Sequence, residues 1–232
     1  MADVKRKWTT QDTIDIWRFG GLDASPDGRS VLFTRVQAVM EPGKSGYLAQ
    51  IYLADDQGSS VEQLTNDERS SFDPQWSPDG KAIAYLWREN IWLMDIETRQ
   101  VQQLTVVSSG VSSYKWAPDG RRIAFTALGE PGPGAAAETN APRIMGQGSR
   151  KQCLWVISMA DIANGPGTGQ PVTGSDIHVG APDVPGAYQW TPDGQTLVFC
   201  HSRSSQQDDW PTTRMARLSL VDGSVQPLGL DD

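Results

Sequence analysis

Two histidines, two cysteines and a few acidic pairs are the residues of this 232-residue chain with the most obvious capacity for chemistry. A cysteine or serine nucleophile needs a histidine within hydrogen-bond reach and a third group to orient that base. His178 and His201 each stand alone in their stretch, and spacing does not bring Cys153 to His201. They read as structural or surface residues. The pairs Asp55-Asp56, Asp208-Asp209 and Asp231-Asp232 offer carboxylates to a cation or a substrate amine, but such pairs are usually solvated turn and tail residues. Gly146-Gln147-Gly148-Ser149 has half the pattern of a phosphate loop and lacks its lysine and strand-to-helix setting. A serine-hydrolase elbow, G-x-S-x-G, is missing: Gly165 and Gly169 are four apart, and Gly167 stands between them. No catalytic residue, metal ligand or cofactor is expected from this chain.

Composition narrows the partners. The net charge is −8 and the isoelectric point is about 4.8. Phosphate binding needs concentrated Lys and Arg, so nucleic acid and anionic membranes are excluded as expected partners. No run of apolar residues is long enough to span a bilayer. Lys5, Arg6 and Lys7 precede no apolar stretch, so the start does not read as a secretory signal. Two cysteines make no disulfide framework, and a reduced, cytoplasmic setting is expected.

The elements that position these residues come from a repeat. Ser25-Pro26-Asp27-Gly28 recurs as Ser77-Pro78-Asp79-Gly80, Ala117-Pro118-Asp119-Gly120 and Thr191-Pro192-Asp193-Gly194. Trp76, Trp116 and Trp190 precede the last three copies, and an aromatic follows each glycine at the fifth position: Phe33, Tyr85, Phe125 and Phe199. Proline presets the second position of a type I turn, aspartate bonds nearby backbone N–H groups, and glycine closes the hairpin in the left-handed region. The aspartates therefore read as turn residues, not metal ligands. A third strand follows at Gln50–Ala54, Asn90–Met94, Cys153–Ile157 and Met215–Leu218; its rings Tyr52, Trp92 and Trp155 suit packing between units. A fourth closes each unit at Val61–Thr65, Val101–Thr105, Gln170–Thr173 and Val225–Leu228.

Each unit is thus four antiparallel strands, and the fold class is all-β: a β-propeller with about four blades present. The repeats are 52, 40 and 74 residues apart, and the middle spacing matches the ~40–45 residue period of a propeller blade. The longer spacings require insertions, placed as loops at Gln37–Gly46, Leu128–Arg150 and Ser175–Ala187. Residues 1–21 form an N-terminal segment. Within it, Thr9 to Asp12 would cap a short helix, Gly20-Gly21 would stop it, and Ile14, Trp17 and Phe19 would dock it. Residues 22–232 form the propeller, with blades near 22–65, 72–105, 112–174 and 186–229.

The W-[ST]-P-D-G repeat, the Leu-Thr strand endings, the opening from Thr10-Gln11-Asp12 to Trp17 and on through Leu22-Asp23-Ala24, and the segment Asp176-Ile177-His178-Val179-Gly180 together resemble the N-terminal β-propeller of the prolyl oligopeptidase family of serine peptidases. The likeness is to its acylaminoacyl-peptidase and dipeptidyl-aminopeptidase-like branches. The repeat is shared with the Tol periplasmic propeller, and the opening tips the balance. The resemblance implies a propeller that filters substrates by size and helps to place short peptides at an α/β-hydrolase domain, in cis or in trans. The chain itself would do no chemistry. A freestanding propeller serving as a protein-interaction scaffold is the other reading. Either way, four blades of a larger ring leave exposed sheet faces, so self-association, as two halves completing one ring, or tight closure of the four blades is expected.

Overall fold

The computed structural model describes residues 7–41, 44–129, 150–181 and 186–229. Four antiparallel sheets follow one another along the chain. The first holds β1 (Arg18–Ala24), β2 (Ser30–Glu41), β3 (Lys44–Asp55) and β4 (Val61–Gln63) in sequence order. The second holds β5 (Ser71–Trp76), β6 (Ala82–Trp87), β7 (Asn90–Asp95) and β8 (Val101–Gln103). The third holds β9 (Val111–Trp116), β10 (Arg122–Leu128), β11 (Gln152–Ser158) and β12 (Gln170–Pro171). The fourth adds a fifth strand: β13 (His178–Val179) and β14 (Tyr188–Trp190) both pair with β15 (Thr196–Ser202), followed by β16 (Arg214–Ser219) and β17 (Val225–Leu228). These are the four-stranded blades of a propeller.

Sheet alternation puts one face of each blade on its predecessor. Leu32 and Ile51 of the first blade pack with Ile83, Tyr85 and Met94 of the second. Ala84 and Ile91 pack with Ile123 and Phe125, and Ala124 and Leu154 with Leu197 and Phe199. The repeated aromatic thus faces backward each time, at 4%, 0% and 1% exposure in the last three blades. Phe33 faces the same way and has no blade before it among the described residues. It is half-buried and stacks on Tyr52 at 5.5 Å. At the far end Met215 is 44% exposed, and Val198 and Cys200 are half-buried.

The Leu-Thr endings act as locks. The Thr65 hydroxyl accepts from Ile51 N at 2.9 Å and donates to Gln50 Oε1. Thr105 repeats this with Ile91 N and Asn90 Oδ1, and Thr173 accepts from Leu154 N. In these three blades a buried N–H that the ladder leaves over is satisfied in this way.

Several expectations are corrected. Gln37–Gly46 is not a loop over most of its length: β2 and β3 run on as a hairpin in register from Val36↔Ala49 to Glu41↔Lys44. Backbone pairing in unbroken register carries the ribbon past the blade's edge. The helix is a single short turn, Thr10–Ile14, capped by Thr9 and Asp12 as expected, and it buries no residue. Gly20-Gly21 do not stop it; both lie in β1, where Gly21 (φ +49°) marks a bulge. Trp17 and Phe19 touch the first blade from its open side, Trp17 under Arg35 and Phe19 5.8 Å from Phe33, but stay 51% and 69% exposed. Within Ser175–Ala187 the structure forms β13. Most of Leu128–Arg150, the Gly146–Ser149 stretch and Asp231-Asp232 lie outside the described residues.

Candidate functional site

In each blade an up-and-down ribbon puts the first and third turns at one end and the second turn and the link to the next blade at the other. The first end belongs to the P-D-G turns. Gly28, Gly80, Gly120 and Gly194 have φ between +66° and +71° and donate N–H to the carbonyls of Ser25, Ser77, Ala117 and Thr191. Pro26, Pro78 and Pro118 sit beside the glycine of the following blade, 3.6, 3.6 and 3.7 Å from where a Cβ would stand. The carboxylates of Asp27, Asp79 and Asp193 accept from Ser25, Ser77 and Thr191 hydroxyls and from Arg29, Lys81 and Gln195 N–H. Those bonds hold all three below the ordinary carboxylate range. Asp119 accepts from Arg121 N and from Arg122, whose Nη2 also donates to Gly194 O at 2.6 Å. Pro192 fills the same turn position in the fourth blade. These residues build a belt of linked turns, with their polar groups already engaged.

The opposite end carries most of the variation, the 3₁₀ turn Asp161–Asn164 between β11 and β12 being the exception at the P-D-G end. The extended β2–β3 ribbon, the β10–β11 connection, the β12–β14 connection and the β15–β16 connection all leave from it. Only the second blade is plain there, with Arg88 and Glu89 (φ 50° and 60°) making a tight hairpin. A cleft of about 420 Å³ opens at this end of the fourth blade, lined by Asp176, Ile177, His201, Ser202, Arg203, Pro211, Thr212 and Arg214. The register places His201 of β15 beside Arg214 of β16 and Val179 of β13. A 3₁₀ helix over Gln207–Thr212 forms one wall, tied down by Thr212 Oγ1 donating to Asp209 O and Ser204 Oγ donating to Asp209 Oδ2. Burial, with Arg214 alongside, pushes the His201 pKa down. His178 is also pushed down by burial and by Lys151, and its Nδ1 accepts from Gln152 N.

The structure does not bring the other candidates together. Cys153 is buried against the carbonyls of Lys151 and Gly174, and burial raises its thiol pKa, the reverse of an activated nucleophile. Both cysteines are free. Asp55 caps its turn through Ser59, and Asp209 anchors the 3₁₀ helix. Among the described residues no group of three or more His, Cys, Asp or Glu is gathered. Arg203 and Arg214 went unnoticed in the sequence because neither belongs to the repeat. The inner strands hold a polar set that sequence reading also passed over. Asp23 Oδ2 accepts from Trp76 N, Gln75 donates to Tyr114 O, and Lys115 donates to Gln189. Burial raises the pKa of Asp23 and Asp73. Among the described residues no helix is long and apolar enough to cross a membrane.

Known proteins resemble this chain in sequence and in fold. Residues 25–132 match the family described as the dipeptidyl peptidase IV N-terminal region. Dipeptidyl-peptidase 5 of Porphyromonas endodontalis is 31% identical over 78 residues, covering 34% of this chain and 11% of that protein. The uncharacterized peptidase YuxL of Bacillus subtilis is 31% identical over 83 residues, 36% of this chain and 12% of that protein. The acylaminoacyl peptidase of Pyrococcus horikoshii superposes with a TM-score of 0.64 at 16% identity, over 97% of this chain and 34% of that one. TolB of Acinetobacter baumannii does so with a TM-score of 0.56 at 21% identity, over 90% and 43%. The aligned stretch therefore spans only about a tenth of the curated relatives' length. These matches bear out the resemblance to the N-terminal propellers of prolyl oligopeptidase-family peptidases, and the superpositions bear out the propeller fold.

Proposed function

We propose that this chain is the non-catalytic propeller portion of a serine peptidase of the prolyl oligopeptidase kind. It gates access to an α/β-hydrolase domain, in cis or in trans, and helps to place short peptides there. The match of residues 25–132 to the dipeptidyl peptidase IV N-terminal region carries this reading. The extended β2–β3 ribbon and the β12–β14 and β15–β16 connections leave from one end of the blades, while β11–β12 is the long connection at the P-D-G end. This supports the reading, since a rigid scaffold that concentrates most of its variation at one rim is suited to shape access there. The two free cysteines fit the proposed reduced, cytoplasmic setting. The test begins at the source locus, where the reading frame past codon 232 and its neighbours are searched for a G-x-S-x-G elbow. The assembled protein is then assayed on a short peptide and on the same scissile sequence inside a folded protein. Cleavage of the first and sparing of the second is expected. Equal cleavage of both sinks the gating role, and absence of any hydrolase partner hands the lead to the interaction-scaffold reading.

The two end faces support self-association under either reading. The first blade's backward face (Phe33, Tyr52) and the fourth blade's forward face (Val198, Met215) are the counterparts of surfaces that pack together within the chain.

A further inference from the structure

We propose that the fourth-blade cleft binds the free carboxylate of a short peptide, with Arg203 and Arg214 as its cationic hold. The proposal rests on the reading of this propeller as a peptide-handling one, and assigns the ligand group and the residues. Arg214 is held in place: its Nη1 donates to Pro211 O at 3.2 Å and Thr213 O at 2.9 Å. Its remaining N–H groups have no protein acceptor among the described residues. The Arg203 side chain makes no hydrogen bond or ion pair among them either, while its backbone N–H is fixed on Thr212 Oγ1. Arg99 is paired with Glu62 and Arg122 with Asp119; Arg29, Arg69 and Arg121 also lack a side-chain partner but do not line the cleft. Two arginines thus line one cleft, and neither guanidinium is paired with a carboxylate among the described residues.

Charge and size select the ligand. Asp176 is the one carboxylate in the lining, so with neutral His201 the cleft carries one net positive charge in a chain of net −8. That matches a monoanion and disfavours a dianion. The planar fork of arginine fits a carboxylate in a two-bond contact. A volume of about 420 Å³ lies at the small end of the ~300–1,000 Å³ range of ligand pockets, room for a peptide end. Ile177 and Pro211 supply an apolar wall for a side chain, and Asp176 is an acceptor for peptide N–H or ammonium groups.

The test is calorimetric titration of the 232-residue chain with trialanine, its C-terminal amide and inorganic phosphate. Trialanine is expected to bind, with the amide and phosphate each at least ~10-fold weaker, the loss expected when charge-assisted bonds go. Arg203→Gln and Arg214→Gln should each lower trialanine affinity about 10-fold at an unchanged melting temperature. Arg203→Gln removes no intrachain side-chain bond, so it serves even if Arg214→Gln loosens the loop. Equal binding of acid and amide, phosphate binding as tightly as the acid, or no binding at ~10 mM peptide overturns the proposal. Failure here beside a working, gated hydrolase removes the carboxylate site alone; binding here without any hydrolase removes the gating role alone.

Discussion

Replacing Thr105 by valine keeps the side chain's shape and deletes one oxygen. Thr105 is fully buried, and that oxygen accepts from Ile91 N at 2.9 Å while its proton goes to Asn90 Oδ1 at 3.0 Å. Asn90 Oδ1 retains Val107 N at 2.8 Å, so its loss is partial. Ile91 is also fully buried and its N–H is left with no acceptor. A buried donor stranded in this way costs about 1–3 kcal/mol. The total stability of a domain is only about 5–15 kcal/mol. For a chain of this size each kcal/mol moves the melting temperature by about 2–4 °C, so a 2 kcal/mol loss lowers it by about 4–8 °C. Thr105→Ser keeps the oxygen and gives up a methyl group, about 0.8 kcal/mol. Urea unfolding at constant m reads both variants. Thr65→Val and Thr173→Val should resemble Thr105→Val, because all three hydroxyls accept from the third strand's N–H. A Thr105→Val protein within about 0.5 kcal/mol of the parent, or no more destabilised than Thr105→Ser, refutes the lock.

Gly120→Ala forces an alanine to φ +68° with only ordinary contact to Pro78, so a loss of about 1–2 kcal/mol from backbone strain alone is expected by urea unfolding. Gly20→Ala, with open space around it, should be near neutral. The end faces predict that the chain self-associates in sedimentation velocity and that Phe33→Asp or Met215→Glu shifts it to monomer; a well-behaved open monomer of the parent chain counts against it. His178 and His201 are held below their ordinary pKa of 6.5, chiefly by burial, with Lys151 acting on the first and Arg214 on the second against Asp176. Their neutral forms favour the fold above pH 6.5, and that contribution is lost as pH falls through 6.5 toward the folded values. Melting temperature should therefore drop on acidification from about pH 7.5 to 5.5, and His178→Gln with His201→Gln should flatten the slope; an unchanged slope refutes it.

Local chemistry explains why so much of the blade pattern was legible. A P-D-G tetrapeptide dictates its own turn through a locked φ, an aspartate that reaches the next N–H groups and a glycine at positive φ, whatever surrounds it. The aromatic five residues on and the threonine endings follow from the period-two pleat and one leftover N–H in each of the first three blades. The match to peptidase propellers rests on those same short-range signals. The second end of each blade was not legible in this way. The ribbon beyond Val36 exists because two strands already in register continue to pair, and Pro42-Gly43 between them looks like any loop in one dimension. Arg203 and Arg214 stand on either side of a polar stretch, and neither residue type is unusual there. They line one cleft because β15 and β16 pair His201 with Arg214 and the 3₁₀ helix lies between them in the chain. Likewise Phe33 reads like Tyr85, Phe125 and Phe199, yet among the described residues no blade packs behind it. Turn and strand choices are set by neighbours along the chain, whereas clefts and open faces are set by which strands pair and which blades stack.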